Sequence, residues 1–134
     1  MKITKPNLGT FGRILFALPF GILGLNHFLM TNFYAGIMTS FIPGGGFTIL
    51  FTGFLLIVAS IAIMVKRFVT LSCLVLAALL FLFIVTIHIP QLFDPKFSDN
   101  LQHTMVIMQL FTDMALMGGA LMIAHIYKPE KGEI

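Results

Sequence analysis

The sequence predicts an all-α, polytopic membrane protein: a bundle of four transmembrane helices with both termini cytoplasmic. Three observations predict it. Hydrophobic residues fill 58% of the 134 positions and charged residues only 10%, and the mean hydropathy is +1.02, whereas an ordinary soluble domain has about 25% charged residues. The charges stand in short clusters between long apolar runs, the spacing that bilayer spans require. Finally, the cations collect at alternate breaks between those runs, so a four-span chain carries them on one side.

A helix crossing a hydrocarbon core about 30 Å thick needs roughly 20 apolar residues at about 1.5 Å each. Four segments qualify within a single membrane domain covering the whole chain: Leu8 to Met30, Phe47 to Val65, Phe68 to Ile89, and Leu101 to Ile126. They are too long for the strands of a membrane β-barrel, which would run about ten residues with alternating polarity. The breaks between them are IPGGG at 42 to 46, Lys66-Arg67, and PQLFDPKFSDN at 90 to 100, each with turn or charge signals that mark an exit from the bilayer. Lys2, Lys5, Arg13, Lys66, Arg67, Lys128 and Lys131 fall on one side and Lys96 on the other. The positive-inside rule puts the first group in the cytoplasm of a bacterial inner-membrane protein.

The first run follows cations, as a secretory signal does. It is longer than a signal core, lacks a small-residue cleavage site and precedes three more spans, so it reads as a retained helix. A net charge of +3 would suit nucleic acid only if the cations formed a patch; here they are spread along one membrane face and set topology. Cys73 is the only cysteine, which excludes an intramolecular disulfide, a CxxC redox pair and a thiolate-rich metal centre within one chain. It reads as a small buried residue.

The stretch GILGLNHFLM places Asn26 and His27 near the outer end of span one. Counted from the outer span ends at about 1.5 Å per residue, His27, His88 and His103 lie within roughly 5 Å of one depth. Three readings of this polar layer compete. The imidazoles could fix helix ends by bonding to water, headgroups or loop carbonyls. They could hold the head of a small amphipathic molecule, with imidazole and amide donors on a quinone carbonyl or lipid headgroup and apolar helices around its tail. Or they could bind a metal or haem, although no HxxxH-type spacing supports this.

In span four Gln102, Gln109 and Asp113 fall within roughly 40° on a wheel of about 100° per residue, so a polar stripe runs inward from the outer surface. Asp113 reaches the midplane, where inserting an aspartate costs about 2.5 to 3.5 kcal/mol, so it must be protonated, paired or hydrated. Arg13 lies roughly 12 Å from it along the axis, longer than an arginine comfortably bridges. Hydroxyls, water, a ligand or a neighbouring subunit are the expected partners. Small residues at Ala17, Gly21 and Gly24, and at Gly118 and Gly119, mark close helix approaches. Pro19 is a candidate kink in span one.

The order of features, GRILF around Arg13, GILGLNHF, FIPGGG with Pro43, a second span opening on TGFLLIVAS with Gly53, and a third ending in HIP at His88, resembles the DoxX family of small four-helix bacterial membrane proteins. The likeness covers roughly residues 10 to 125. It implies a four-helix membrane bundle and an association with membrane redox chemistry: quinone-linked sulfur oxidation in some members, oxidative-stress complexes in others. By motif position Arg13, His27, Pro43, Gly53 and His88 carry over. Many relatives have an acidic residue shortly after the second-span glycine, where this chain has Phe54, Leu55 and Leu56. This departure counts against an activity needing a carboxylate there, although Asp113 could supply one from another helix.

These observations give the leading expectation: a quinone or similar amphipathic ligand in the outer half of the bundle, within a membrane redox system. His27, His88 and His103 would donate hydrogen bonds or exchange protons, Asn26 and Gln109 would orient the ligand, and Asp113 would manage a proton. The alternative is a non-enzymatic subunit of a larger membrane complex or a homo-oligomer, with the same polar groups making contacts between helices. A metal- or haem-binding protein comes third.

Overall fold

The computed structural model describes residues 5–38 and 42–127, and no strand occurs among them. Helix α1 (Lys5–Leu29) bends at Met30 into the short α2 (Thr31–Ile37); α3 (Gly46–Met64) and α4 (Val69–Phe83) follow. A π-turn (Ile84–His88) joins α4 to α5 (Ile89–Phe93), a 3-10 turn (Pro95–Phe97) comes next, and α6 (Asn100–Ile126) ends the described chain. Four helical segments are long and apolar enough to cross a membrane: Leu8–Leu29, Gly46–Met64, Val69–Phe93 and Asn100–Ile126. Lys2, Lys128 and Lys131, counted in the charge argument, lie outside the described residues.

Two boundaries differ from the sequence expectation. Residues 31 to 37, expected within a loop, form α2, which continues the helical bonding of α1 through Met30 N–H to Asn26 O and Tyr34 N–H to Met30 O. The third span, expected to stop at Ile89, runs on to Phe93. Pro90 does not end it, because the preceding π-turn widens the ladder, Ile89 N–H bonding to Ile84 O, and relieves the clash a proline ring makes with the preceding helical turn. Pro19 likewise lies inside an unbroken α1.

Lipid tails are as apolar as leucine, so helices in a bilayer associate through close packing and polar contacts rather than a hydrophobic drive. The α1/α3 pair shows how. Ala17, Gly21 and Gly24 face Gly53, Ile57 and Ser60, and the buried Ser60 hydroxyl donates to Ala17 O at 2.7 Å. A methyl group added at Gly24 would lie 2.6 Å from Gly53 O, and one added at Gly53 would lie 2.6 Å from His27 Cβ. Glycine is therefore required on both sides of this crossing, and His27 sits directly on Gly53. Phe20, Leu56, Ile63, Cys73, Leu76 and Ala120 fill the centre of the bundle. Gly119 approaches Phe16, whereas Gly118 faces open space. Leu15, Ile22, Phe54, Phe81 and Met108 point outward, as lipid-facing residues do.

Arg13 fastens one end of the bundle. Its Nη1 donates to Ile63 O at 2.5 Å and to Met64 O at 3.0 Å, and its guanidinium lies 6.0 Å from the centre of the Tyr127 ring. Those carbonyls close α3, where the helix dipole is negative, so they stabilise a buried cation that has no carboxylate partner among the described residues. Thr70 donates to Tyr127 O and draws α6 into the same end. Lys66 and Arg67 are exposed in the turn next to it, and Lys96 belongs to the opposite end, beyond α5.

Candidate functional site

A cavity of about 300 Å³ opens at the end of the bundle opposite Arg13, between α2, the turn before α3, α3 and α4. Its walls include Ile37, Met38, Ile42, Pro43, Ile49, Leu79, Leu82, Phe83 and Ile87, with polar groups from His27, Tyr34, Thr48, Thr52 and Thr86. No charged side chain is among them. The size lies at the lower end of small-molecule sites, and an apolar wall with a few polar groups is their usual composition.

Each polar group reaches the cavity for a local reason. His27 lies seven residues before Tyr34, two helical turns, so the bend at Met30 brings both rings onto one face; they stack with centroids 3.9 Å apart and planes 21° apart. Thr31 donates to His27 O at 3.0 Å and ties the bend to the last turn of α1. His27 Nδ1 donates to Leu23 O at 2.7 Å. The ring's N–H is thus spent within its own helix, and the donor role expected from the sequence is not available to a neutral His27. Thr48 and Thr52, one turn apart, line the α3 wall. Thr48 donates back to Pro43 O across a turn in which Gly44 and Gly45 adopt positive φ. Burial pushes the Tyr34 phenol above the ordinary tyrosine value. Gln91, buried, donates to Ile37 O at 3.2 Å and pins the end of α2 over the site.

His88 and Asp113 form a second polar centre outside this cavity. Their Nε2 and Oδ2 atoms are 2.8 Å apart, close enough to hold a proton between them, and both residues are largely buried. His88 Nδ1 is buried without a partner among the described residues. This pair answers the question Asp113 raised: its partner is a histidine from the third span. It also corrects the single-layer expectation. Because the third span extends to Phe93, His88 lies deeper than counting from Ile89 implied, and it meets α6 about 15 Å along the helix from His103.

The remaining predicted residues stand apart. His103 is half-buried, and its ring has no hydrogen-bond partner among the described residues; Asn26 is half-buried and Gln109 exposed on α6. Arg13 belongs to the opposite end, Gly53 supports His27 from below, and Pro43 lines the cavity. Among the described residues no group of three His, Cys, Asp or Glu side chains is arranged to hold a metal ion.

Comparison with family models, curated proteins and solved structures gives no match. Sequence reasoning passed over Tyr34, Thr48, Thr52 and Thr86, although two spacings point to them: His27 and Tyr34 at seven residues, and Thr48 and Thr52 at four beside Gly53.

Proposed function

We propose that this chain is a DoxX-like protein of the bacterial inner membrane that binds a quinone or similar amphipathic molecule in the cavity under α2, as a subunit or accessory of a membrane redox system. The observation that carries this reading is a largely apolar cavity of about 300 Å³ whose described walls carry no charge and present one imidazole and one phenol, the phenol hydroxyl having no hydrogen-bond partner among the described residues. Arg13, Lys66 and Arg67 at the far end support a cytoplasmic location for that end, so the cavity occupies the outer half of the bundle. Asp113, held by His88, takes the part of a buried proton-binding group beside the site rather than within it. Purification in a mild detergent and mass spectrometry of the extracted lipids test the proposal. A quinone or related molecule near equimolar amount is the expected result, reduced by His27→Ala. An extract free of such molecules, together with no binding of an added quinone in either its oxidised or its reduced form, would overturn it.

A second reading, a structural subunit of a larger assembly, is favoured by α6. It is the least buried of the four spans, and it exposes the Gln109 amide, which has no hydrogen-bond partner among the described residues, about 14 Å below its outer end. An amide in hydrocarbon is costly unless another helix satisfies it, so a neighbouring copy or subunit accounts for this side chain. Loss of a stoichiometric co-purifying chain on Gln109→Leu supports this reading; an unchanged monomeric protein counts against it.

A further inference from the structure

A neutral imidazole has one N–H and one lone pair, and the partner of one nitrogen determines what the other offers. In His27 the partner of Nδ1 is Leu23 O, at 2.7 Å, and a carbonyl can only accept. The hydrogen is therefore on Nδ1 and the lone pair on Nε2, which has no hydrogen-bond partner among the described residues. A protonated ring would be a buried cation, and among the described residues no carboxylate lines the cavity to compensate it. Thr48 has also committed its hydroxyl hydrogen, to Pro43 O. The Tyr34 and Thr52 hydroxyls have no hydrogen-bond partner among the described residues and can donate or accept.

We infer that the cavity selects an amphipathic molecule whose head carries a hydroxyl, a hydroquinone or alkylphenol rather than the matching quinone or ether, with His27 Nε2 accepting the hydroxyl hydrogen. The inference rests on the ligand-binding reading above and assigns the class of head group. A carbonyl or ether oxygen placed against Nε2 sets lone pair against lone pair. A hydroxyl donates to Nε2 while its oxygen still accepts from Tyr34 or Thr52. The volume also restricts the head: about 300 Å³ equals roughly ten waters at about 30 Å³ each, room for one ring with a short chain. The stacked His27 and Tyr34 rings give that head an aromatic wall.

The discriminating pair of probes is 4-hexylphenol and 4-hexylanisole, which differ by the donor and are both redox-inert. Each is measured by equilibrium dialysis against the full chain in nanodiscs, with empty nanodiscs subtracting partition into lipid. The phenol is expected to bind about tenfold more tightly, equivalent to about 1.4 kcal/mol and one hydrogen bond. His27→Phe, which keeps an aromatic ring over Tyr34 but has no lone pair, is expected to bring the ratio close to one. On 15N-histidine-labelled protein the phenol should shift the Nε2 resonance, and the anisole should leave it in place. Equal binding of the two probes to the wild-type chain overturns the inference and leaves the ligand-binding reading standing, and this outcome needs no variant to fold. A preference that survives in a folded His27→Phe overturns the inference too. Binding of neither probe overturns the reading on which it rests, and the inference with it.

Discussion

Gly53→Ala tests the seat of His27. The added methyl carbon would lie 2.6 Å from His27 Cβ, 2.8 Å from Gly24 O and 3.2 Å from Phe28 Cε2. Carbon atoms pack best at about 3.5 to 4.0 Å, so α1 and α3 must separate by about 1 Å, a gap that forfeits a quarter to a half of the dispersion energy of each contact it opens. Overpacking of this kind costs about 1 to 3 kcal/mol, while replacing a helical glycine by alanine returns up to about 1 kcal/mol. With the full return, the expected net effect is a loss of up to about 2 kcal/mol. Gly118→Ala is the matched control: nothing lies within 4 Å of its added methyl, so only the helix-propensity gain remains. The two variants should move stability in opposite directions. Cys73, the only cysteine and fully buried, makes the assay direct, because a thiol-reactive fluorophore reports unfolding as the temperature rises. Melting of Gly53→Ala at or above the wild-type temperature would refute the close-approach reasoning.

Further outcomes follow from the other contacts. Asp113→Leu leaves both ring nitrogens of His88 without partners among the described residues and should cost about 1 to 3 kcal/mol in the same thiol-melting assay, whereas adding His88→Phe to it should recover part of that loss. Arg13→Met removes both bonds to the closing carbonyls of α3 and should lower stability by about 2 kcal/mol; a neutral result would mean that desolvation of the guanidinium cancels those bonds. Because burial raises the Tyr34 pKa above 10.0, the folded state disfavours the phenolate: stability should hold level below that pH and fall as pH rises through and above it. Tyr34→Phe should flatten the fall, and ultraviolet titration of the phenolate checks it.

Span existence was legible because length and hydropathy act residue by residue and need no tertiary partner. Gly24 and Ala17 were readable as packing residues for the same reason: a missing side chain is visible in the sequence. The site was harder to read. Depth counting placed His88 beside His27 and His103 because HIP looked like the end of a span, and a single π-turn at Ile84–His88 changed that. Such a turn follows from packing and a tolerated proline, not from a composition signal. Likewise, the 31 to 45 segment has the polar and glycine punctuation of a loop, yet the bend at Met30 lets α2 carry Tyr34 over His27. The polar stripe of α6 was legible as a stripe; that Asp113 turns inward to His88 while Gln109 is left exposed depends on how far α6 is covered by its neighbours.

The central claim is that the cavity under α2 holds the head of an amphipathic ligand, and photoaffinity labelling tests it most directly. A photoreactive quinone, reduced to its hydroquinone and irradiated with the protein in nanodiscs, is expected to mark peptides carrying His27, Tyr34, Thr52 or Thr86, with excess unlabelled hydroquinone suppressing the signal. Labelling confined to α6 around Gln109, or labelling that the competitor leaves unchanged, would contradict the claim.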